Sequence, residues 1–228
     1  MDNELRICTA LSGLKGLIFD CDGVLLDSRG ANIAFYNCFR SCLLLPKLTA
    51  DQEEYVHMAT FEQALHFITP PALRGCISET LGRVGDELDY YSLLGVEEGL
   101  LPFLDWLKAC GVHLAMCTNR VEPMDKVLDT FGLRGYFDPI QTASNSLPKP
   151  DPDGLTQVLG KWKVEAHEVA FIGDSSVDMR AARAGGLPFW SFKNEKLDAD
   201  LFVSGFPGLH TRMRLFMNEK YRLDFQGV

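Results

Sequence analysis

The chain has 228 residues and a formal net charge of −9, with a sequence pI near 5.0. This length suits a large domain with a small accessory one, and the acidic balance, without any run of five basic residues, predicts no nucleic-acid partner. Seven cysteines without a Cys-x-x-Cys pair, an acidic start and the lack of a long apolar run predict a cytoplasmic protein with reduced thiols and no membrane association.

Short apolar runs alternate with amphipathic segments along most of the chain. The runs are apolar enough to be strands buried on both faces, which is typical of a parallel sheet. Predicted strands cover residues 17–19, 113–117, 139–142, 169–172 and 188–192. Predicted helices cover residues 98–110, 122–131, 151–161, 175–184 and 210–217. We therefore expect an α/β fold with a Rossmann-like parallel sheet flanked by helices.

One segment interrupts this alternation. Residues 29–96 contain no convincing strand, but helix starts with the spacing of a capping box occur at Thr49 and Thr60. We interpret the segment as a small helical domain inserted after the first strand. The predicted organisation is an α/β core of residues 1–28 and 97–228 with a helical domain at 29–96.

The first predicted strand ends in two carboxylates and a turn. Asp20 and Asp22 follow the apolar residues 17–19, and Gly23 comes next. Ligands of parallel α/β proteins collect beyond the carboxyl ends of strands, and a bound divalent cation would neutralise two acids this close together. A plain Asp-Gly turn at a strand end is the alternative explanation.

Two further polar elements follow later in the chain. Thr118 and Asn119 end the strand at 113–117, where a hydroxyl and backbone N–H groups can bind an anion, although both residue types also cap helices without a ligand. Lys149 lies between Pro148 and Pro150, which fix the direction of its ammonium group. A solvated surface lysine is the alternative.

A second pair of acids follows the strand at 169–172. Asp174 would lie at the strand tip and Asp178 in the first turn of the next helix, so both carboxylates can face one point. An acid that only compensates the helix dipole is the alternative for Asp178.

These elements, in this order, resemble the haloacid dehalogenase superfamily of phosphohydrolases, in the phosphatase and β-phosphoglucomutase-like branch with a helical cap after the first strand. The similarity runs from about residue 15 to residue 192. It implies that the strand of Asp20 lies between the strands of Thr118 and Asp174. Haloacid dehalogenases lack the second acid of the first motif, so Asp22 points to phosphoryl transfer.

The resemblance implies a Mg²⁺-dependent phosphatase of a small phosphorylated metabolite, such as a sugar phosphate or phosphoglycolate. Asp20, Asp174 and the backbone carbonyl of Asp22 would hold the ion, because hard oxygen ligands favour Mg²⁺. Asp178 would hold a metal-bound water or orient Lys149.

The same resemblance implies the catalytic roles. Asp20 would be the nucleophile that forms an aspartyl-phosphate, and Asp22 would be the general acid and then the general base. Thr118, Asn119 and Lys149 would bind the phosphoryl oxygens.

Within the predicted cap, the turn around His57 resembles the position of the family's specificity loop, but the glycine common there is not recognisable. His57 is a candidate contact for the leaving group, and packing is the alternative. Arg29, Arg74 and Arg83 either bind a second anionic group of the substrate or lie on solvated helix faces.

The cap cysteines Cys38, Cys42 and Cys76 are interpreted as small apolar core residues, the first two being one helical turn apart.

Two other functions stay open. A phosphosugar mutase of the β-phosphoglucomutase type would return the phosphate of Asp20 to the substrate, and a phospho-accepting or inactive member would serve as an interaction module. The expected partner is a small phosphorylated substrate, and the chain is expected to be a monomer or a homodimer.

Overall fold

A computed structural model describes residues 11, 13–59, 61–120 and 124–225, and the side chains of residues 57, 58 and 217–225 lie outside that description. The chain divides into two compact units. One, the core unit, consists of Met1–Leu26 and Val96–Val228, and the other, the helical unit, consists of Asp27–Gly95. Within the described residues, none of the helices combines the length and the apolar character needed to cross a bilayer.

The strands form one large sheet and one small one. In chain order they are β1 (Gly16–Phe19), β2 (Leu26–Asp27), β3 (Gly95–Val96), β4 (His113–Cys117), β5 (Ile140–Gln141), β6 (Val169–Gly173), β7 (Phe189–Phe192) and β8 (Leu201–Val203). The large sheet has the order β5-β4-β1-β6-β7-β8 and every pairing in it is parallel. This confirms the predicted α/β fold and the central place of β1.

Nine helices are described. In chain order they are α1 (Arg29–Cys42), α2 (Ala50–Met58), α3 (Phe61–Ile68), α4 (Ile77–Glu87), α5 (Leu100–Ala109), α6 (Met124–Thr130), α7 (Asp153–Trp162), α8 (Ser176–Gly185) and α9 (Phe206–Phe225). The first four belong to the helical unit and the others to the core unit. Short 3-10 helices cover Pro71–Cys76, Tyr90–Leu93 and Ala166–Glu168.

The predicted elements agree with the observed ones closely in the middle of the core unit. Exceptions lie near the carboxyl terminus, where β8 was not predicted and α9 is much longer than the predicted helix at 210–217. The short strands β2 and β3 were not predicted either, and β3 lies within the segment 29–96 that was expected to have no strand. A three-residue strand carries too little periodic signal to be recognised. The predicted start of α6 at residue 122 lies outside the described residues.

The register of the sheet decides where the site residues come together. Leu17, Ile18 and Phe19 of β1 are fully buried, and Phe19 is paired with Met116 of β4 on one side and Ile172 of β6 on the other. The three strands therefore end at the same edge. The polar residues that follow each of them are neighbours for that reason.

The helical unit has its own apolar core. Its buried members are Tyr36, Phe39, Leu48, Val56, Ala64, Leu65, Ile68 and Val84. The capping box predicted at Thr49 is present at the start of α2, whereas Thr60 lies outside the described residues. Cys38 and Cys42 pack against this core, but Cys76 is exposed, so its interpretation as a core residue is wrong.

Candidate active site

Asp20 lies directly beyond β1 in the interior of the core unit. Its backbone N–H donates to the carbonyl oxygen of Ile172 at 2.9 Å, which continues the ladder between β1 and β6 by one residue. The residue is 7% exposed. The position of its carboxylate is therefore fixed by the strand backbone, which a flexible Asp-Gly turn would not do.

Lys149 is buried and joins two of the acids. Its Nζ lies 2.8 Å from Oδ1 of Asp20 and 2.5 Å from Oδ1 of Asp178, and its side chain is 4% exposed. It is therefore not a solvated surface lysine. Because the ammonium is hydrogen-bonded to two carboxylates, it is a fixed positive charge at the carboxyl edge of the sheet.

Asn119 holds the backbone of Lys149. Its Oδ1 accepts from the Lys149 N–H at 2.7 Å and its Nδ2 donates to the Lys149 carbonyl at 2.9 Å. The side-chain amide of Asn119 is thus occupied in positioning the lysine, and its predicted contact with a phosphoryl oxygen would have to use its backbone.

Asp178 combines two tasks. Its Oδ2 accepts from the N–H of Ser175 at 3.1 Å and from the hydroxyl at 2.5 Å, and Ser175 in turn caps α8. Its Oδ1 accepts from Lys149. Asp178 is both the first-turn acid of a capping box and the carboxylate that orients the lysine.

Asp20, Asp174 and Asp178 form a three-carboxylate cluster. One oxygen of each lies within 4.8 Å of the others. Gly23 has a positive φ of +77°, and a Cβ there would lie 2.1 Å from Oδ2 of Asp174. The loop after β1 can pass this close to Asp174 only because residue 23 has no side chain.

The cluster carries excess negative charge. Burial raises the pKa of Asp20 to about 7, and the charges of Asp178 and Asp22 add to the increase although Lys149 opposes it. Burial, followed by Asp178 and Asp20, also raises the pKa of Asp174 well above its usual range. Burial disfavours the ammonium of Lys149, but Asp178 and Asp20 outweigh it and raise its pKa. When all three carboxylates are ionised, the single lysine leaves two negative charges uncompensated.

These residues fit a divalent cation with hard oxygen ligands. The donors are carboxylate oxygens close enough to share one ion, and the uncompensated charge matches a double positive charge. Both oxygens of Asp178 already have partners within the chain. Asp20 and Asp174 are therefore the side chains best placed to bind the ion directly.

Asp22 is held apart from this cluster by Arg120. Nε of Arg120 donates to Oδ2 and Nη2 to Oδ1, each at 2.7 Å. A bidentate arginine–carboxylate pair is strong and directional. The side chain of Asp22 is 32% exposed, in contrast to the deeply buried Asp20.

Thr118 follows β4 and is 4% exposed. Its Oγ accepts from the N–H of Arg120 at 3.2 Å, which leaves the hydroxyl hydrogen available as a donor.

The structure gives no support for a binding role of the candidate residues in the helical unit. Arg29 lies 3.6 Å from Glu54, Arg74 donates to the carbonyl of His66, and both are exposed. His57 lies in the last turn of α2, so its predicted place in the turn before the next helix is wrong, and its side chain lies outside the described residues. Arg83 is exposed as well and contacts residues of its own unit.

Two residues of the site were missed by sequence reasoning. Arg120 directly follows Thr118 and Asn119. A basic residue at the end of the strand next to β1 was the sequence feature that could have predicted a partner for Asp22. Asn194 donates to the backbone carbonyl of Asp174 at 2.9 Å from the loop after β7. No motif marks Asn194, because its role depends only on β7 being next to β6.

Comparisons with known proteins agree with this geometry. The model of the haloacid dehalogenase-like hydrolase family matches residues 17–191. A phosphoglycolate phosphatase of Chromobacterium violaceum is 30% identical over 228 residues, covering 90% of this chain and 98% of the relative. Another, of Pectobacterium atrosepticum, is 32% identical over 195 residues, covering 77% and 79%.

A solved structure is similar as well. The haloacid dehalogenase-superfamily hydrolase of subfamily IA, variant 1, from Geobacter sulfurreducens is 35% identical, with a TM-score of 0.70 and coverage of 88% of this chain and 97% of that one. The sheet order, the carboxylate cluster and these matches lead to one conclusion: the chain belongs to the haloacid dehalogenase-like hydrolase family.

Proposed function

We propose that this chain hydrolyses a small phosphoric monoester of the phosphoglycolate or sugar phosphate type, with Mg²⁺ and through an aspartyl-phosphate on Asp20. The family and its phosphoglycolate phosphatase relatives identify the class of enzyme as a phosphoric monoester hydrolase. The substrate, the ion and the covalent step are our proposal.

The observation that supports the proposal most is the ammonium of Lys149 shared between Asp20 and Asp178, beside Asp174. A phosphoryl group brings further negative charge to the place where it reacts. A fixed ammonium aimed at the nucleophile would balance that charge without reorganising, which is the largest contribution in most phosphoryl transfers.

Asp20, Asp174 and the backbone carbonyl of Asp22 would hold Mg²⁺. When bound, the ion would supply positive charge that lets carboxylates and phosphoryl oxygens approach one another. With both of its own oxygens engaged, Asp178 would act by orienting Lys149.

Asp20 would attack phosphorus, forming an O–P bond while the bond from phosphorus to the leaving oxygen breaks. Asp22 would give its proton to that oxygen. It would then take a proton from the water that attacks the aspartyl-phosphate, releasing inorganic phosphate and restoring Asp20. Because Asp22 pairs with Arg120 in this structure, that ion pair would have to open before Asp22 can donate.

Binding of the phosphoryl oxygens would use the Thr118 hydroxyl and the Lys149 ammonium, with Asn119 fixing the lysine backbone. We propose that the Asp27–Gly95 unit is the cap that selects the leaving group. His57 stays a candidate for contact with it.

The test is phosphate release from a panel of phosphorylated metabolites that includes 2-phosphoglycolate and sugar phosphates, with Mg²⁺ and with EDTA. Turnover with Mg²⁺ that EDTA abolishes, and that Asp20→Asn removes, supports the proposal. The matched control is Asp125→Asn, because Asp125 is exposed on α6 and pairs with Arg134.

The same assay separates the alternatives. Isomerised sugar phosphate without free phosphate would support the mutase. Inactivity on the whole panel, with no binding of Mg²⁺, would support an interaction module and would refute the phosphatase.

A further inference from the structure

A second group of three potential metal ligands lies in the helical unit, which consists of Asp27–Gly95. Cys38 and Cys42 lie one turn apart on α1, and Glu87 is the last residue of α4, which packs against α1. Oε2 of Glu87 lies 3.6 Å from Sγ of Cys42 and 4.0 Å from Sγ of Cys38. All three ligand atoms lie within 4.8 Å of one another. We call these three residues the thiol cluster.

These separations are close to those of a tetrahedral metal site. With Zn–S of about 2.3 Å and Zn–O of about 2.0 Å, a sulfur and an oxygen ligand lie about 3.5 Å apart and two sulfurs about 3.8 Å apart. Small rotations of the side chains suffice to reach that geometry, because Glu87 is a long side chain at a helix end and is half exposed.

The carboxylate of Glu87 is already turned towards the sulfurs. Its other oxygen, Oε1, lies 3.9 Å from Nη2 of Arg83, one turn earlier on α4. Nη1 of Arg83 donates to the carbonyl of Cys42 at 3.1 Å. Arg83 therefore links the two helices at this point and leaves Oε2 free to face both thiols, as a supporting residue does at a metal site.

The charges of the group also fit a divalent cation. Two thiolates and a carboxylate carry three negative charges, which a divalent cation and the guanidinium of Arg83 would cancel. Cys38 and Cys42 are partly buried while Glu87 is exposed, so an ion has a path from solvent and a fourth position for water.

We propose that Cys38, Cys42 and Glu87 bind a thiophilic divalent cation of the Zn²⁺ type, which ties α1 to α4. The two sulfurs select against Mg²⁺, whereas the all-oxygen cluster of the core unit selects for it. The proposal does not rest on the proposed phosphatase chemistry, since the thiol cluster shares no residue with the carboxylate cluster of the core unit.

The test is titration of the reduced, EDTA-stripped protein with Cd²⁺ after the reductant is removed, under inert gas. Wild type is expected to bind one equivalent with the ultraviolet charge-transfer absorption of cadmium thiolate. Cys38→Ser and Cys42→Ser are expected to lose that absorption. Cys76→Ser is the matched control, because Cys76 is an exposed cysteine of the same unit outside the cluster, and it is expected to keep it.

Zn²⁺ affinity, measured by competition with a chromophoric chelator, gives the second readout. Loss of a residue that only supports a metal ligand weakens binding by up to ~100-fold, and we expect Cys42→Ser, which removes a ligand, to weaken it more. We expect Glu87→Gln to weaken Zn²⁺ binding by at least ~10-fold. Glu87 is exposed, so Glu87→Gln is expected to fold, which circular dichroism checks.

Asp20→Asn is expected to leave the cadmium absorption unchanged, which separates this site from the core cluster. The proposal would be overturned if wild type showed no thiolate absorption at one equivalent of Cd²⁺. It would also be overturned if Cys42→Ser bound the metal as tightly as wild type does.

Discussion

Each of the two units brings the ligand atoms of three side chains within 4.8 Å of one another, but the two groups differ in the elements that carry them and in their exposure to solvent. In the core unit, Asp20 and Asp174 directly follow buried strands, and Asp178, which is 1% exposed, lies in the first turn of α8. In the helical unit, the thiol cluster lies on two helix surfaces, and the side chain of Glu87 is 53% exposed.

The difference matters because burial makes uncompensated charge expensive. The core cluster keeps two negative charges beyond what Lys149 balances, so it requires a cation or a protonated acid. The thiols of the helical unit remain neutral when protonated, and thiol-to-carboxylate hydrogen bonds satisfy them. The buried core cluster therefore needs its charge compensated, whereas the single acid of the thiol cluster, Glu87, is exposed to solvent.

The largest expected effect is on Asp20. Asp20→Asn removes the proposed nucleophile, and no neighbouring group can replace it, so turnover should fall by at least ~10³-fold. Phosphate release under saturating substrate measures the loss. Asp125→Asn should keep wild-type turnover, and near-normal activity in Asp20→Asn would contradict the nucleophilic role.

A smaller loss of turnover is expected when Lys149 is kept but its ammonium group is displaced. Asn119→Ala removes both hydrogen bonds to the Lys149 backbone, and a shift of the ammonium by about 1 Å can cost up to ~10²-fold in kcat. KM should change less, if Asn119 acts through Lys149. A loss confined to KM would instead indicate that Asn119 binds the substrate through its side chain.

Gly23 links the loop of the first motif to Asp174. Gly23→Ala would place a Cβ 2.1 Å from Oδ2 of Asp174, so that carboxylate must move and the affinity for Mg²⁺ should fall. We expect a loss of about 10-fold, as for other disturbances of metal ligands. Activity as a function of Mg²⁺ concentration measures it, and an unchanged Mg²⁺ dependence would contradict the contact.

The charge excess of the core cluster should also appear in stability. Burial raises the pKa of Asp20 from 3.8 to about 7, so the folded state favours the protonated acid. The resulting stabilisation is complete below the unfolded pKa and is lost as the pH rises through about 7.

Asp20→Asn stays neutral at every pH. In EDTA its Tm relative to wild type should therefore increase between about pH 5 and about pH 8, and Mg²⁺ should reduce the gap by stabilising wild type. Thermal melts at both pH values measure this. A gap that does not change with pH would contradict the raised pKa.

The smallest effect is expected in the helical unit. Gly82 lies inside α4, and a Cβ there meets nothing within 4 Å. Gly82→Ala should raise the free energy of unfolding by about 0.5–1 kcal/mol, because alanine loses less backbone freedom than glycine. Denaturant unfolding measures it, and a destabilised Gly82→Ala would show that α4 requires glycine for another reason.

Much of the core unit could be predicted from the sequence. Strands β1 and β6 are continuous apolar runs, and β4 and β7 each contain a single polar residue. Strand β1 lies between the strands of Thr118 and Asp174, as the resemblance implies. Asp20 and Asp174 could be selected as neighbours because the carboxyl ends of parallel strands share one edge, whereas only the resemblance placed Lys149 with them.

The resemblance offered Asp178 as a partner of Lys149, but other partners of the site residues could not be predicted. Whether Asp22 contacts the cluster or Arg120 depends on where each side chain leaves the backbone, which strand periodicity does not specify. The hydrogen bonds between Asn119 and Lys149 join positions 30 residues apart, with α6 and β5 between them in the chain.

The sequence by itself determined the parallel sheet and the types of residue at its carboxyl edge, because hydrophobic periodicity and turn chemistry are local properties. Only the tertiary structure decided which polar groups meet: Asp22 with Arg120, and the two cysteines of α1 with Glu87. The physical reason is that ion pairs and ligand clusters depend on distances of a few ångströms between segments far apart in the chain, and packing alone sets those distances.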